Sequence, residues 1–250
     1  MRKTEEEVIK VLGHELLKIE NLYKSNCVNW KGKTKDTKVY STEIIANKLI
    51  KELKEFDKIS TIKRTKPYCR ENHLNIKINK TNRHEENFAK QIIGLSLEGL
   101  GLILDYQVPL KNLQSDKAGK IDLISIDLMT KTLYLIELKH GNNNETLLRA
   151  ILESYTYYKI VDKVKLKIDY FNNQKINLKK GYNHINPSEI NVKSAVLFTP
   201  NCYAYKELTE VSDGKKPELK KLIKKLGVCC FVGEFEFNIK NISMNQYFNK

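Results

Sequence analysis

Lys120-Ile121-Asp122-Leu123-Ile124-Ser125-Ile126-Asp127-Leu128 and, a few polar residues later, Thr132-Leu133-Tyr134-Leu135-Ile136-Glu137-Leu138-Lys139 carry the architecture of this chain. Both runs are dense in long and β-branched apolar residues, and their short connection predicts a hairpin. Side chains alternate faces along a strand, so Glu137 and Lys139 share a side with Leu133 and Leu135, while Tyr134, Ile136 and Leu138 turn the other way. On the first strand Asp122 shares a face with Lys120, Ile124 and Ile126. A connection over Met129–Thr132 places Asp122 opposite Lys139 and diagonal to Glu137. A connection of two residues places it opposite Glu137, still on the same face. A glutamate and a lysine at the end of an apolar strand are costly if dry, and they make sense where the strand opens into a cleft.

Outward from this hairpin the pattern is mixed. Residues 83–98 read as a helix stopped by Gly99 to Gly101, and Leu102–Leu110 reads as a strand. Asn142–Asn144 offers a cap for a helix running to about Ile160. Lys163–Val192 has no clear period. Ala195-Val196-Leu197-Phe198 reads as a short buried strand. Pro217 starts a helix whose Leu219, Leu222, Ile223 and Leu226 face inward before Gly227 ends it, and Val228–Phe237 is a last strand. Toward the N-terminus, residues 5–24 and a stretch opened by Ser41-Thr42-Glu43 show helical spacing. The expected organisation is a basic, mainly helical module over 1–80 and a mixed α/β domain over 81–250.

Composition bounds the function. The chain has 250 residues, 41% hydrophobic and 30% charged, and a net charge of +14. Residues 1–80 carry +8, residues 81–170 are neutral, and residues 171–250 carry +6. Two basic flanks around an acid-bearing middle suit a polyanion held at the sides and processed in the centre. No apolar run reaches membrane-spanning length. The acidic start Glu5-Glu6-Glu7 is unlike a secretory leader. Five cysteines show neither a CxxC pair nor zinc spacing, which fits a reducing cytosol, so a cytoplasmic location is expected.

Two carboxylates, Asp122 and Glu137, converging with the backbone carbonyl of Leu138 make an oxygen-rich seat for Mg²⁺ or Mn²⁺. Such an ion lowers the pKa of a bound water and neutralises charge developing on a phosphate. Lys139 beside it can orient or deprotonate the attacking water, with its own pKa lowered by a cation and partial burial.

Gly119-Lys120-Ile121-Asp122, then Glu137-Leu138-Lys139, resembles the PD-(D/E)XK nuclease superfamily over roughly residues 83–200, with Ile121 in place of the proline. The resemblance implies a restriction-endonuclease-like core of helix, three strands, helix and strand, beside the N-terminal helical module. It implies Asp122 and Glu137 as metal ligands and Lys139 as the catalytic lysine. Many members carry a glutamate early in the first helix. Here Glu85 and Glu86 both qualify, and Glu86, followed by Ala89, is the favoured ligand. In the helix after the lysine, Glu153 stands where the RecB-like branch has glutamine, with Tyr157 four residues on. Arg149, Glu153 and Tyr157 share a helical face, and Glu153 is expected near the metal or paired with Arg149.

The expected function is a Mg²⁺-dependent endonuclease acting on DNA. The alternatives are an RNA nuclease, or a catalytically inactive nucleic-acid-binding or interaction protein on the same fold. A homodimer is expected only by resemblance, and no membrane partner is implied.

Overall fold

The computed structural model describes residues 2–69, 83–112, 118–172, 186–235 and 242–247. Its centre is the hairpin of β3 (Lys120–Asp127) and β4 (Thr132–Lys139). The Asp127 carboxylate closes the turn by accepting from the Met129 N–H (3.0 Å) and the Thr130 hydroxyl (2.7 Å). Lys131 completes the turn in the left-handed region, at φ 48°. The turn therefore begins at Leu128, and Asp127 pairs directly with Thr132. Of the two expected registers this selects the one with Asp122 opposite Glu137: paired positions run out to Leu123 and Ile136, and Asp122 lies one step further. A two-residue shift leaves the face unchanged, so the acidic residues and the lysine stay on one side.

Around the hairpin a seven-stranded sheet forms in the order β1 to β7. β1 (Ser96–Leu97), β2 (Gly101–Pro109), β3 and β4 are antiparallel. β5 (Asn191–Phe198) and β6 (Cys229–Phe235) follow in parallel, and β7 (Ile242–Tyr247) is antiparallel to β6. Every residue of β4 is buried, because strands flank it and helices cover both of its faces. The chain is thus mixed α/β.

Two apolar layers divide the faces. On one, α3 (His84–Ile92) lays Phe88, Ala89 and Ile92 against Tyr134, Ile136 and Leu138. On the other, Leu133 and Leu135 belong to the large core beneath α4 (Leu147–Ile160). α1 (Glu5–Glu15) and α2 (Ser41–Lys51) contribute Val8, Leu12, Ile45 and Leu49 to that same core. The expected boundary near residue 80 lies outside the described residues.

Several elements depart from expectation for local reasons. The first helix stops at Glu15 and continues as 3-10 turns over Leu16–Lys24, with Lys18 out of helical geometry. α3 ends at Ile92 rather than 98, because Gly94 takes φ 82° and turns the chain into β1. Thr146, not Asn142–Asn144, caps α4, its hydroxyl accepting from the Arg149 N–H (3.2 Å). Tyr40 is the cap position of α2 and makes no side-chain cap bond. Part of the aperiodic stretch is helical, α5 (Lys163–Phe171). A further helix, α6 (Tyr203–Ser212), precedes α7 (Pro217–Leu226), which ends as expected on left-handed Gly227. Of the expected strand Val228–Phe237, residues 236 and 237 lie outside the described residues. Among those residues no helix is long and apolar enough to cross a membrane.

Long-range caps tie α7 to α2 and α4 to α6. The Glu43 carboxylate accepts from the N–H groups of Glu218 (2.9 Å) and Leu219 (2.8 Å), filling the open N-terminus of α7. Glu207 does the same for the Leu147 N–H of α4 (2.7 Å) while holding the fully buried Lys216. Glu210 completes that ion cluster at 3.0 Å.

Candidate active site

Lys139 lies at the end of β4, buried, and its ammonium is the hub of an acidic cluster. Glu137 approaches at 2.8 Å, Glu145 at 2.5 Å and Glu153 at 3.4 Å. Burial alone would drive this amine toward its neutral form, but the facing carboxylates outweigh it and raise its pKa well above the ordinary lysine value. The expected lowering rested on a metal cation beside the amine; the facing carboxylates by themselves shift it upward. In this arrangement Lys139 is held as a cation, able to orient a water or a phosphoryl oxygen.

Asp122 bridges three strands. Its Oδ2 accepts from the Leu138 N–H at 3.0 Å, where the β3–β4 ladder has ended, and its Oδ1 accepts from Gln107 Nε2 at 2.8 Å. Leu138 thus enters the site through its N–H. In a strand the carbonyl of the same residue faces the same side, so it opens toward this gap as well. Burial raises the Asp122 pKa from 3.8 to about 7, with Lys139 and the Leu138 N–H opposing that rise. Glu137 is pushed well above its usual range, by burial first and then by Asp122 and Glu153. Two adjacent carboxylates that resist joint ionisation in a dry site have an electrostatic demand for positive charge.

Gln107 was not foreseen. Its neighbours Tyr106 and Val108 pair with Leu123 and Ile121, so Gln107 sits opposite Asp122. Its backbone lies at φ 48°, in the left-handed region, within a strand. A glutamine there is strained, and the bond to Asp122 is what the strained conformation achieves.

The first-helix glutamate that reaches the site is Glu85. It accepts from Asn143 Nδ2 (2.8 Å) and the His140 N–H (3.2 Å), and burial raises its pKa. Glu86 pairs with Lys90 one turn later (2.8 Å) and with Arg83 (3.1 Å), which lower its pKa, and it lines an adjoining cavity of about 450 Å³ with Glu85, Gln107 and Asp122. The helix carries its neighbour inward because position 85 faces the hairpin end.

On α4, Glu153 contacts Lys139 and accepts from the Tyr157 hydroxyl at 2.8 Å. Arg149 pairs instead with Glu145, at 2.9 Å, although its Nε–H is not aimed for a hydrogen bond. Burial and the nearby Glu153 and Glu137 raise the Tyr157 pKa, which keeps its hydroxyl a donor. A Cβ on Gly119 would fall 2.2 Å from that hydroxyl oxygen. The glycine ahead of Asp122 is therefore a space requirement, one that sequence spacing alone could not reveal. Glu145 escaped notice for another reason: it lies in an irregular loop with no periodicity to flag it.

These groups line a cavity of about 360 Å³. Five acidic side chains (Glu85, Asp122, Glu137, Glu145, Glu153) face three basic ones (Lys120, Lys139, Arg149), so full ionisation would leave an excess of two negative charges. A larger cavity of about 460 Å³ beside Tyr23 holds one carboxylate, Glu20, among lysines and apolar groups, so the chemistry belongs to the smaller one.

The donors suit a hard divalent cation, being oxygens. Among the described residues no three acidic, His or Cys side chains are already drawn to the spacing of an ion cage, since the Lys139 ammonium stands between Glu137, Glu145 and Glu153. No family model, curated protein or solved structure matches the chain.

Proposed function

We propose that this chain is a metal-dependent phosphodiesterase, a nuclease acting on DNA, with a restriction-endonuclease-like core formed by α3, β2, β3, β4, α4 and β5. One observation carries the reading. Asp122 and Glu137 stand at facing positions of neighbouring strands, with Lys139 two residues on, in a cavity lined by five carboxyl groups and three basic side chains.

Asp122 and Glu137, with the Leu138 carbonyl, would hold Mg²⁺ or Mn²⁺, and Glu85 or Glu153 reaches the same space. Bound there, the ion supplies Lewis acidity and an activated water. The chain's own groups do the rest. Gln107 and the Leu138 N–H fix the Asp122 carboxylate in orientation, a preorganisation that costs nothing at the moment of reaction. Lys139, held as a cation by its carboxylates, offsets negative charge at the phosphoryl oxygens. Tyr157 holds Glu153 in its rotamer and so keeps it beside Lys139.

The test is incubation of the full chain with supercoiled, linear duplex and single-stranded DNA, and with RNA, in Mg²⁺, Mn²⁺ or chelator. Asp122→Asn and Lys139→Ala proteins run beside it. Metal-dependent cutting lost in both variants supports the reading, and the substrate that is cut names the class. Absence of cutting, or equal cutting by the variants, leaves a binding protein on this scaffold.

A further inference from the structure

Another cavity, about 440 Å³, opens in the N-terminal segment around Trp30, the chain's single tryptophan. Arg2, Lys3, Lys31 and Lys33 line it, and no carboxylate does. Three of these lysines lie over aromatic rings: Lys3 over Trp30 (4.3 Å), Lys31 over Tyr203 (4.3 Å) and Lys33 over Tyr40 (5.0 Å). Trp30 is half-buried and lines the cavity. Scattered surface lysines solubilise a protein; a concavity of cations around an indole is a different arrangement, matched to a phosphate and a flat π-face together.

Its position ties it to the acidic cavity. The loop 143–146 alternates between the two: Asn143 and Glu145 line the acidic side. Between them, Asn144 accepts from the Lys31 ammonium. Thr146 donates its N–H to Asn29 Oδ1 (2.8 Å) and its hydroxyl to the Val28 carbonyl (2.6 Å). The two cavities are therefore opposite sides of one short loop that is bonded to both.

We infer that the Trp30 cavity is a nucleotide subsite, taking an unpaired base and its phosphate from the strand whose scissile bond lies at the acidic cavity. This deepens the nuclease reading and rests on it. Bases in a duplex are stacked inside the helix and cannot reach an indole in a concavity, whereas a splayed base can. The base stacks on Trp30, displacing the flexible Lys3 side chain, and Arg2, Lys3 and Lys33 pair with the backbone. The substrate class is thus a strand single-stranded beside the cleavage point.

Because Trp30 is the only tryptophan, its fluorescence reports this subsite alone. The full chain is titrated in chelator, where no cleavage occurs. The probes are a short single-stranded DNA, the same sequence as RNA, its blunt duplex, and an abasic deoxyribose-phosphate strand. Saturable quenching by the single strands, absent with the abasic strand and much weaker with the duplex, is expected, and the better single strand names the sugar. In anisotropy with labelled oligonucleotide, Trp30→Ala binds about ten-fold more weakly and Trp30→Phe close to the parent. Arg2→Ala and Lys33→Ala, both exposed, each lower the slope of log affinity against log salt by about one. Equal affinity of Trp30→Ala and parent, unchanged salt slopes, or equal quenching by the duplex overturns the inference. Metal-dependent cutting without quenching removes the subsite and leaves the nuclease. Quenching without cutting keeps the subsite and removes the nuclease.

Discussion

The amide N–H of Leu138 donates to the Asp122 carboxylate at 3.0 Å, so the peptide between Glu137 and Lys139 is fastened to the aspartate of the neighbouring strand. The hairpin ladder ends one pair earlier, and a side chain takes over where backbone pairing stops. The two strand ends that line the cavity are thereby held in fixed relation to each other.

Lys139→Met leaves Glu137, Glu145 and Glu153 without their shared counter-ion. Removing one partner of a buried cluster costs about 3–5 kcal/mol, so the variant melts well below the parent at neutral pH. Under the proposed function, millimolar Mg²⁺ restores part of the loss. Thermal melts with and without Mg²⁺ decide it, and a variant as stable as its parent would contradict the hub role of Lys139.

The raised pKa of Asp122, about 7 against an ordinary 3.8, sets a sign for pH dependence. The folded state prefers the neutral carboxyl, so this group's contribution is complete below its unfolded value and is lost as pH rises through about 7. Glu137 acts in the same direction. Without divalent ions the melting temperature should fall between pH 5 and pH 8, and Asp122→Asn should flatten that fall. Parallel curves for the two proteins would assign the titration elsewhere. Bound Mg²⁺ should reverse the trend, because it favours the carboxylate.

Gly119→Ala drives a methyl group to within 2.2 Å of the Tyr157 hydroxyl oxygen. Overpacking of this kind costs about 1–3 kcal/mol and turns Tyr157 away from Glu153. The double variant Gly119→Ala/Tyr157→Ala should be scarcely less stable than Tyr157→Ala alone, since the obstacle is already gone. Additive losses in denaturant unfolding would show that the glycine matters for another reason.

Gln107 inverts an ordinary rule. Glycine in a strand normally destabilises relative to alanine, but at φ 48° alanine keeps the strain that glycine relieves. Gln107→Gly should therefore be more stable than Gln107→Ala by about 1 kcal/mol, measured in urea. Both lose the bond to Asp122 and both should impair metal-dependent cutting.

Glu43→Ala uncaps α7 at a distance of 175 residues in sequence from its first bonded partner. About 1–2 kcal/mol of stability should be lost. Glu43→Gln, which still offers an oxygen, should recover part of it. A null effect in thermal melts would mean that water replaces the carboxylate.

Much of this protein was legible from one dimension. Alternation along Thr132–Lys139 gave the faces of Glu137 and Lys139, and the apolar spacing of Pro217–Leu226 gave a helix with its Gly227 stop. These signals are local, because strand and helix periods act over a few residues. The register of Asp122, the choice of Glu85 over Glu86, and the partnership of Lys139 with Glu145 were decided by particular side-chain contacts that no strand or helix period encodes. Asp127 set the register by closing its turn early, and Lys90 with Arg83 paired with Glu86. The protonation of Lys139 needed the tertiary structure most of all. Burial and neighbouring charge push its pKa in opposite directions, and only the distances to its carboxylates show which one wins.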